Sequence, residues 1–89
     1  MSEGPWVVGQ AYLIRTVTMI QTGRLVAVYD KELVLDDAAW VADTGRFYDA
    51  LSKGTLNEIE PFPDGPVIVG RGAICDAAIW SHPLPRKQK

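Results

Sequence analysis

The stretch that most restricts the fold is Gly23 to Ala38, which reads GRLVAVYDKELVLDDA. Two β-rich runs, Leu25 to Tyr29 and Leu33 to Leu35, flank the polar triplet Asp30-Lys31-Glu32. Leu25, Ala27 and Tyr29 alternate with Arg24, Val26 and Val28, the period of a strand that buries one face. A short acidic loop between two such runs predicts a hairpin. The rest of the chain is expected to close a small barrel around that ribbon.

Upstream, Gln10 to Ile20 reads as the first strand, with Leu13, Val17 and Met19 on one side and Tyr12, Ile14 and Ile20 on the other. Apolar residues on both sides suit a strand covered twice. Gln21-Thr22-Gly23 is expected to make the turn into the hairpin, and Trp6 to plug one end of the barrel. Downstream, Ala42 to Gly54 predicts one short helix over about 43–53. Asp43 or Thr44 would serve as its N-cap, Phe47, Ala50 and Leu51 as its buried stripe, and Gly54 as its left-handed C-cap. Thr55 to Pro66 reads as a connector ending in the turn pair Asp64-Gly65. Val67-Ile68-Val69 reads as a buried strand, Gly70-Arg71-Gly72 as a bulge or corner, and Ala73 to Trp80 as a further strand. Residues 81–89 are Pro-rich and basic and predict an extended, mobile tail after a barrel-like domain over 1–80.

Length bounds the stability of such a fold. A chain of 89 residues supports one domain and buries only about 60% of its unfolded surface. An apolar content of 47% is high for so small a monomer, so surplus apolar surface is expected to be hidden between copies of the chain. The net charge of −2 argues against a general nucleic-acid grip, which needs clustered Lys and Arg. A lone cysteine, Cys75, predicts a reducing compartment and, after Ile74 in an apolar strand, a buried filler. Met1 to Pro5 carry an acid and lack the basic region of a signal peptide, so none is expected, and the apolar runs are too short to span a bilayer. A cytoplasmic protein is expected, with no membrane partner.

Few residues invite chemistry. One histidine, His82, and one cysteine cannot build an ordinary structural zinc site, and no base stands near Cys75 in the sequence. Gly70-Arg71-Gly72 is not followed by a helix signal, so it is not a dinucleotide loop. Asp36 and Asp37 are neighbours on an extended segment and should point to opposite faces, too divided to share one ion. The chain is therefore read as no enzyme, with no cofactor and no metal. Arg15, flanked by Ile14 and Thr16 with Val17 beyond, is expected to pair with Asp36 or Asp37, or to contact an anion. Trp40, Asp43, Thr44 and Arg46 cluster around the predicted helix start, where free backbone N–H groups can hold an anion. With Arg71, these make the candidate ligand-binding set: Arg15, Trp40, Asp43, Thr44, Arg46 and Arg71. The arginines would act as anion contacts and Trp40 as a stacking surface.

Gly23, Leu25, Asp30, Leu35 and Ala38, followed by Val67-Ile68-Val69, Arg71, Gly72 and Ile74, are similar to the two halves of the Sm-like fold. That resemblance implies a small Sm/SH3-like barrel of about five strands and a ring formed by strand addition between subunits. The asparagine with which Sm proteins read a base has no counterpart in Asp30-Lys31-Glu32-Leu33. Taken end to end, the chain also resembles small proteins of unassigned function from tailed bacteriophages. The residues that carry this are Leu13 to Thr18, Trp40 to Phe47, Glu60-Pro61 and Leu84-Pro85-Arg86. This likeness implies a phage accessory or structural component, in the host cytoplasm or the virion. The expected function is a homo-oligomeric binding module whose partners are itself and a host protein or small anionic ligand. A virion or capsid decoration protein and an Sm-like RNA-binding ring are the alternatives.

Overall fold

The computed structural model describes residues 4–89. Six strands form one antiparallel sheet: β1 (Ala11–Thr16), β2 (Ile20–Val28), β3 (Glu32–Asp43), β4 (Glu58–Pro61), β5 (Val67–Gly70) and β6 (Ile74–Ile79). One helix, α1 (Phe47–Lys53), follows β3, and a 3-10 turn over Arg71–Ala73 joins β5 to β6. The strand order is β4-β3-β2-β1-β6, and β5 also pairs with β3. The described chain is thus mainly β with one helix, as the hairpin alternation and the Phe47-Ala50-Leu51 stripe predict.

The expected hairpin is β2–β3, with Leu25 opposite Leu35 and Val28 opposite Leu33. It is longer than its sequence signal. β2 begins at Ile20, so Gln21-Thr22-Gly23 lies inside a strand and the preceding turn falls at Val17 to Met19 instead. Thr16 secures that turn, its hydroxyl accepting from the Met19 N–H at 3.1 Å. β3 likewise runs on through Asp36 to Asp43. Its first half pairs with β5 (Glu32 to Leu35 against Val67 to Gly70) and its second half with β4 (Ala39 to Asp43 against Glu58 to Pro61).

A bulge lets β3 change partners. Thr22 faces Ala39 and Arg24 faces Asp36, so Gly23 alone stands opposite Asp37 and Ala38. Asp37 takes a positive φ of 51°, a left-handed conformation that Asp tolerates better than most residues. Gly23 suits the packing here: a Cβ would lie 3.0 Å from the Leu35 Cβ, so Leu35 would have to give way to admit one.

Side chains alternate into two cores. Tyr12, Ile14, Leu25, Leu33, Leu35, Ala38 and Val69 fill one, with Trp6, Phe62 and Ile74 packed against it. Leu13, Ala39, Val41, Ala50, Leu56, Ile59 and Trp80 fill the other, covered by Phe47, Leu51 and Leu84. Neighbours such as Leu13 and Ile14, or Ala38 and Ala39, thus serve opposite faces. Within β1 both faces are covered, Leu13 in one core and Tyr12 and Ile14 in the other. The strand stops at Thr16, however: Val17 and Met19 are exposed, and Ile20 packs on the same core as Leu13.

Other expectations are corrected. The helix starts at Phe47, because β3 claims residues up to Asp43 and Gly45 turns the chain at φ 70°. Its N-cap position is Arg46, with no side-chain cap; the Asp43 carboxylate instead accepts from the Gly45 N–H at 2.8 Å. Gly54 ends the helix in the left-handed conformation, as predicted. The segment read as a connector contains β4, whose short run Glu58 to Pro61 gives little apolar periodicity. Cys75 is exposed, standing in β6 at the irregularity where Arg15 pairs with Asp76 and Thr16 with Ile74.

Residues 81–89 are extended, yet they lie against the fold. Ile59 and Lys89 exchange backbone hydrogen bonds of 2.9 and 3.0 Å. Arg86 donates to the carbonyls of Ala38 at 3.0 Å and Phe62 at 3.2 Å. A ring nitrogen of His82 is 2.7 Å from the Leu51 carbonyl at the helix end.

Candidate functional site

The sheet distributes the candidate residues over three places. Arg15 is on β1 opposite Asp76 of β6, and not beside Asp36 or Asp37. The two form a bidentate pair in which Arg15 Nε donates to Asp76 Oδ1 at 2.7 Å and a terminal guanidinium nitrogen meets Oδ2. The fork geometry of guanidinium matches carboxylate, so two contacts form in one plane. The hydrogen bond with Asp76 raises the Arg15 pKa, and the same bond holds the Asp76 carboxyl below its ordinary range. The guanidinium carbon also lies 4.8 Å from the centre of the Phe47 ring, a cation–π contact. Arg46, which immediately precedes that ring, is exposed, as is Asp43; Thr44 is half-buried. Asp43, Thr44 and Arg46 lie where β3 passes into α1, and the Phe47 contact brings Arg15 to the start of that helix.

Trp40 is elsewhere. Ala39 and Val41 point into the helix-covered core, so Trp40 between them points to the opposite face. It is 42% exposed and, with Met19, Pro61, Phe62 and Pro63, borders an open hollow of about 230 Å³. Beside it on the same face is Gln21, its register partner in β2. Arg71 occupies a third place, where it donates to the Tyr29 carbonyl at 2.7 Å and ties the 3-10 turn to the hairpin loop.

The acidic pair is not divided as the extended reading expected. The bulge turns both Asp36 and Asp37 toward Arg24, at 3.5 and 2.6 Å, and Arg86 approaches Asp37 at 4.0 Å. The sequence signal for this was Gly23, a strand glycine opposite the pair. Among the described residues, no three His, Cys, Asp or Glu side chains converge where a metal ion could sit. Among the described residues, no helix is long and apolar enough to cross a membrane.

The two sheet edges differ. The β4 edge is occupied by the chain's own C-terminal segment through the Ile59–Lys89 exchange. Among the described residues, the β6 edge pairs only with β1. Because Trp80 donates to the Ala11 carbonyl, the antiparallel alternation turns the N–H and C=O groups of Ala77 and Ile79 away from β1. Next to them Pro5, Trp6, Tyr12, Ile74, Ala77 and Ile79 border an apolar hollow of about 300 Å³. Trp80 is buried in the chain's own core, so it is not available to another subunit. Comparison of the chain with protein-family models, with curated proteins and with solved structures finds no match.

Proposed function

We propose that this protein is a non-enzymatic, homo-oligomeric binding module built as an Sm/SH3-like small barrel. It would serve a bacteriophage as an accessory factor that engages a host protein or sequesters a small anionic ligand. The observation that carries the reading is the open β6 edge. Unpaired backbone groups on an edge strand invite another strand, and Ile79 beside them is 62% exposed. The Arg15–Phe47 corner supports the ligand half of the reading: Asp76 holds the guanidinium in place over the ring, with Arg46 as a second exposed cation.

Light scattering joined to native mass spectrometry of the purified protein tests both halves, giving stoichiometry and any retained small molecule in one measurement. A particle larger than one chain is expected. Ala77→Pro removes an outward-facing N–H without touching the β1 ladder and should shift that particle toward the monomer. A wild-type protein that remains monomeric at micromolar concentration, and carries nothing, defeats the proposal.

A further inference from the structure

The chain carries nine Lys and Arg residues against eleven Asp and Glu, yet one hollow is bordered by basic side chains and by no acidic ones. Where the C-terminal segment crosses α1 and β4, an open hollow of about 530 Å³ is bordered by Lys53, Arg86, Lys87 and Lys89. No carboxylate side chain borders it. Its accessible apolar surface comes from Pro83, Leu84 and Pro85, with Leu56, Ile59 and Trp80 buried behind them. This volume falls in the range of small-molecule sites, which join an apolar body to a few convergent polar groups.

The charges are unequally committed. Lys53 has Asp49 at 3.9 Å one turn back on α1, and Arg86 has Asp37 at 4.0 Å while spending its guanidinium on two backbone carbonyls. Among the described residues, Lys87 and Lys89 have no carboxylate within ion-pair distance. Their backbone is nevertheless fixed, because Lys89 is bridged to Ile59 of β4. His82 completes the wall: it caps the Leu51 carbonyl and stacks edge-on against Trp80 at 5.1 Å. Of the two acids that flank Ile59 on β4, Glu60 accepts from the Gln88 side-chain amide at 2.5 Å, and Glu58 does not border the hollow. Several positive charges on an anchored segment, with an apolar wall beside them, suit a compact polyanion attached to a flat or apolar body.

We propose that this hollow binds a small phosphorylated molecule, with Lys87 and Lys89 as its main charge contacts and the Pro83–Leu84–Pro85 surface against its organic part. The inference rests on the binding-module reading in giving the module an anionic ligand, and it puts that ligand on the C-terminal segment instead of the Arg15 corner.

The test uses the full chain, labelled with nitrogen-15, titrated with ADP, inorganic pyrophosphate and adenosine at low and at high salt. ADP and pyrophosphate should move the amide signals of Lys53, Gly54, His82 and Lys87, ADP the more tightly, and high salt should weaken both. Adenosine should leave them in place. The double variant Lys87→Glu/Lys89→Glu should weaken ADP about tenfold or more, whereas Lys31→Glu in the distant hairpin loop should not. If ADP instead moves the signals around Arg15 and Phe47, and the double variant binds it normally, the inference is overturned while the anion-binding module stands. If neither phosphate compound moves any signal, the inference is overturned, and light scattering decides the oligomeric reading separately.

Discussion

The two faces of the sheet bury comparable sets of side chains by different means. On one face, Leu25, Leu33, Leu35 and Val69 meet across strands that are close in sequence or directly paired. On the other, Leu13, Ala39 and Val41 are covered by Ala50 of the helix and by Trp80 and Leu84 from the end of the chain. The first core is a property of the hairpin and its neighbours. The second exists only once the helix and the C-terminal segment have returned to the sheet, so it depends on contacts between distant parts of the chain.

The largest test of that difference removes one large side chain from each face. Trp80→Ala should cost about 3–5 kcal/mol and Leu35→Ala about 2–5 kcal/mol, measured by urea denaturation. If the faces are independent, the double variant loses the sum of the two within about 0.5 kcal/mol. A larger discrepancy would mean that the sheet transmits strain from one core to the other. Gly23→Ala sharpens the comparison on the hairpin face alone. Its new methyl meets Leu35 at 3.0 Å and Ala38 at 3.4 Å, and overpacking of this kind costs about 1–3 kcal/mol.

Thr22 probes the other face with the opposite sign. It stands between Leu13 and Ala39 in register and is fully buried, and its hydroxyl has no hydrogen-bond partner among the described residues. Thr22→Val keeps the branched shape and removes the orphaned group, so it should stabilise the protein by about 1 kcal/mol. Unchanged or lower stability would mean that the hydroxyl is satisfied in solution.

The smallest effect concerns pH. Asp76 is held below its ordinary range by its hydrogen bond from Arg15. Such a carboxylate stabilises the fold above its unfolded pKa, and that stabilisation is lost as pH falls through the folded value. The raised Arg15 pKa acts oppositely, in a range far above neutrality, so only the acid limb is observable. Asp76→Asn should flatten the dependence of melting temperature on pH below the ordinary carboxylate range. Both side chains are about half exposed, so the change is small and is largest at low salt.

The same contrast explains what the residues disclosed. Alternation in Leu25 to Tyr29 marked the hairpin, and Gly54 with Phe47, Ala50 and Leu51 marked the helix, because these signals are local. β4 went unseen because four residues, Glu-Ile-Glu-Pro, offer only one buried position. The length of β3 was hidden by the acidic pair, whose bulge depends on Gly23 across the ladder. Arg15 was recognisable as a residue needing a carboxylate, but Asp36 or Asp37 was expected; the partner is Asp76, which only the β1–β6 register brings opposite Arg15. Trp40 and Arg46 seemed neighbours in sequence; strand alternation placed the tryptophan on the face opposite the helix. The docking of the last nine residues had no periodic signal, since it rests on single hydrogen bonds from Arg86, His82 and Lys89.

β3 is flanked by β2 along one side and, in succession, by β5 and β4 along the other. No part of the sheet can detach from it without uncovering amides that are protected from both sides. Native-state hydrogen exchange should therefore find its slowest protons at Leu33, Leu35, Ala39 and Val41, all opening only with global unfolding. The N–H groups of Ala77 and Ile79, which β1 does not cover, should exchange by local fluctuation long before.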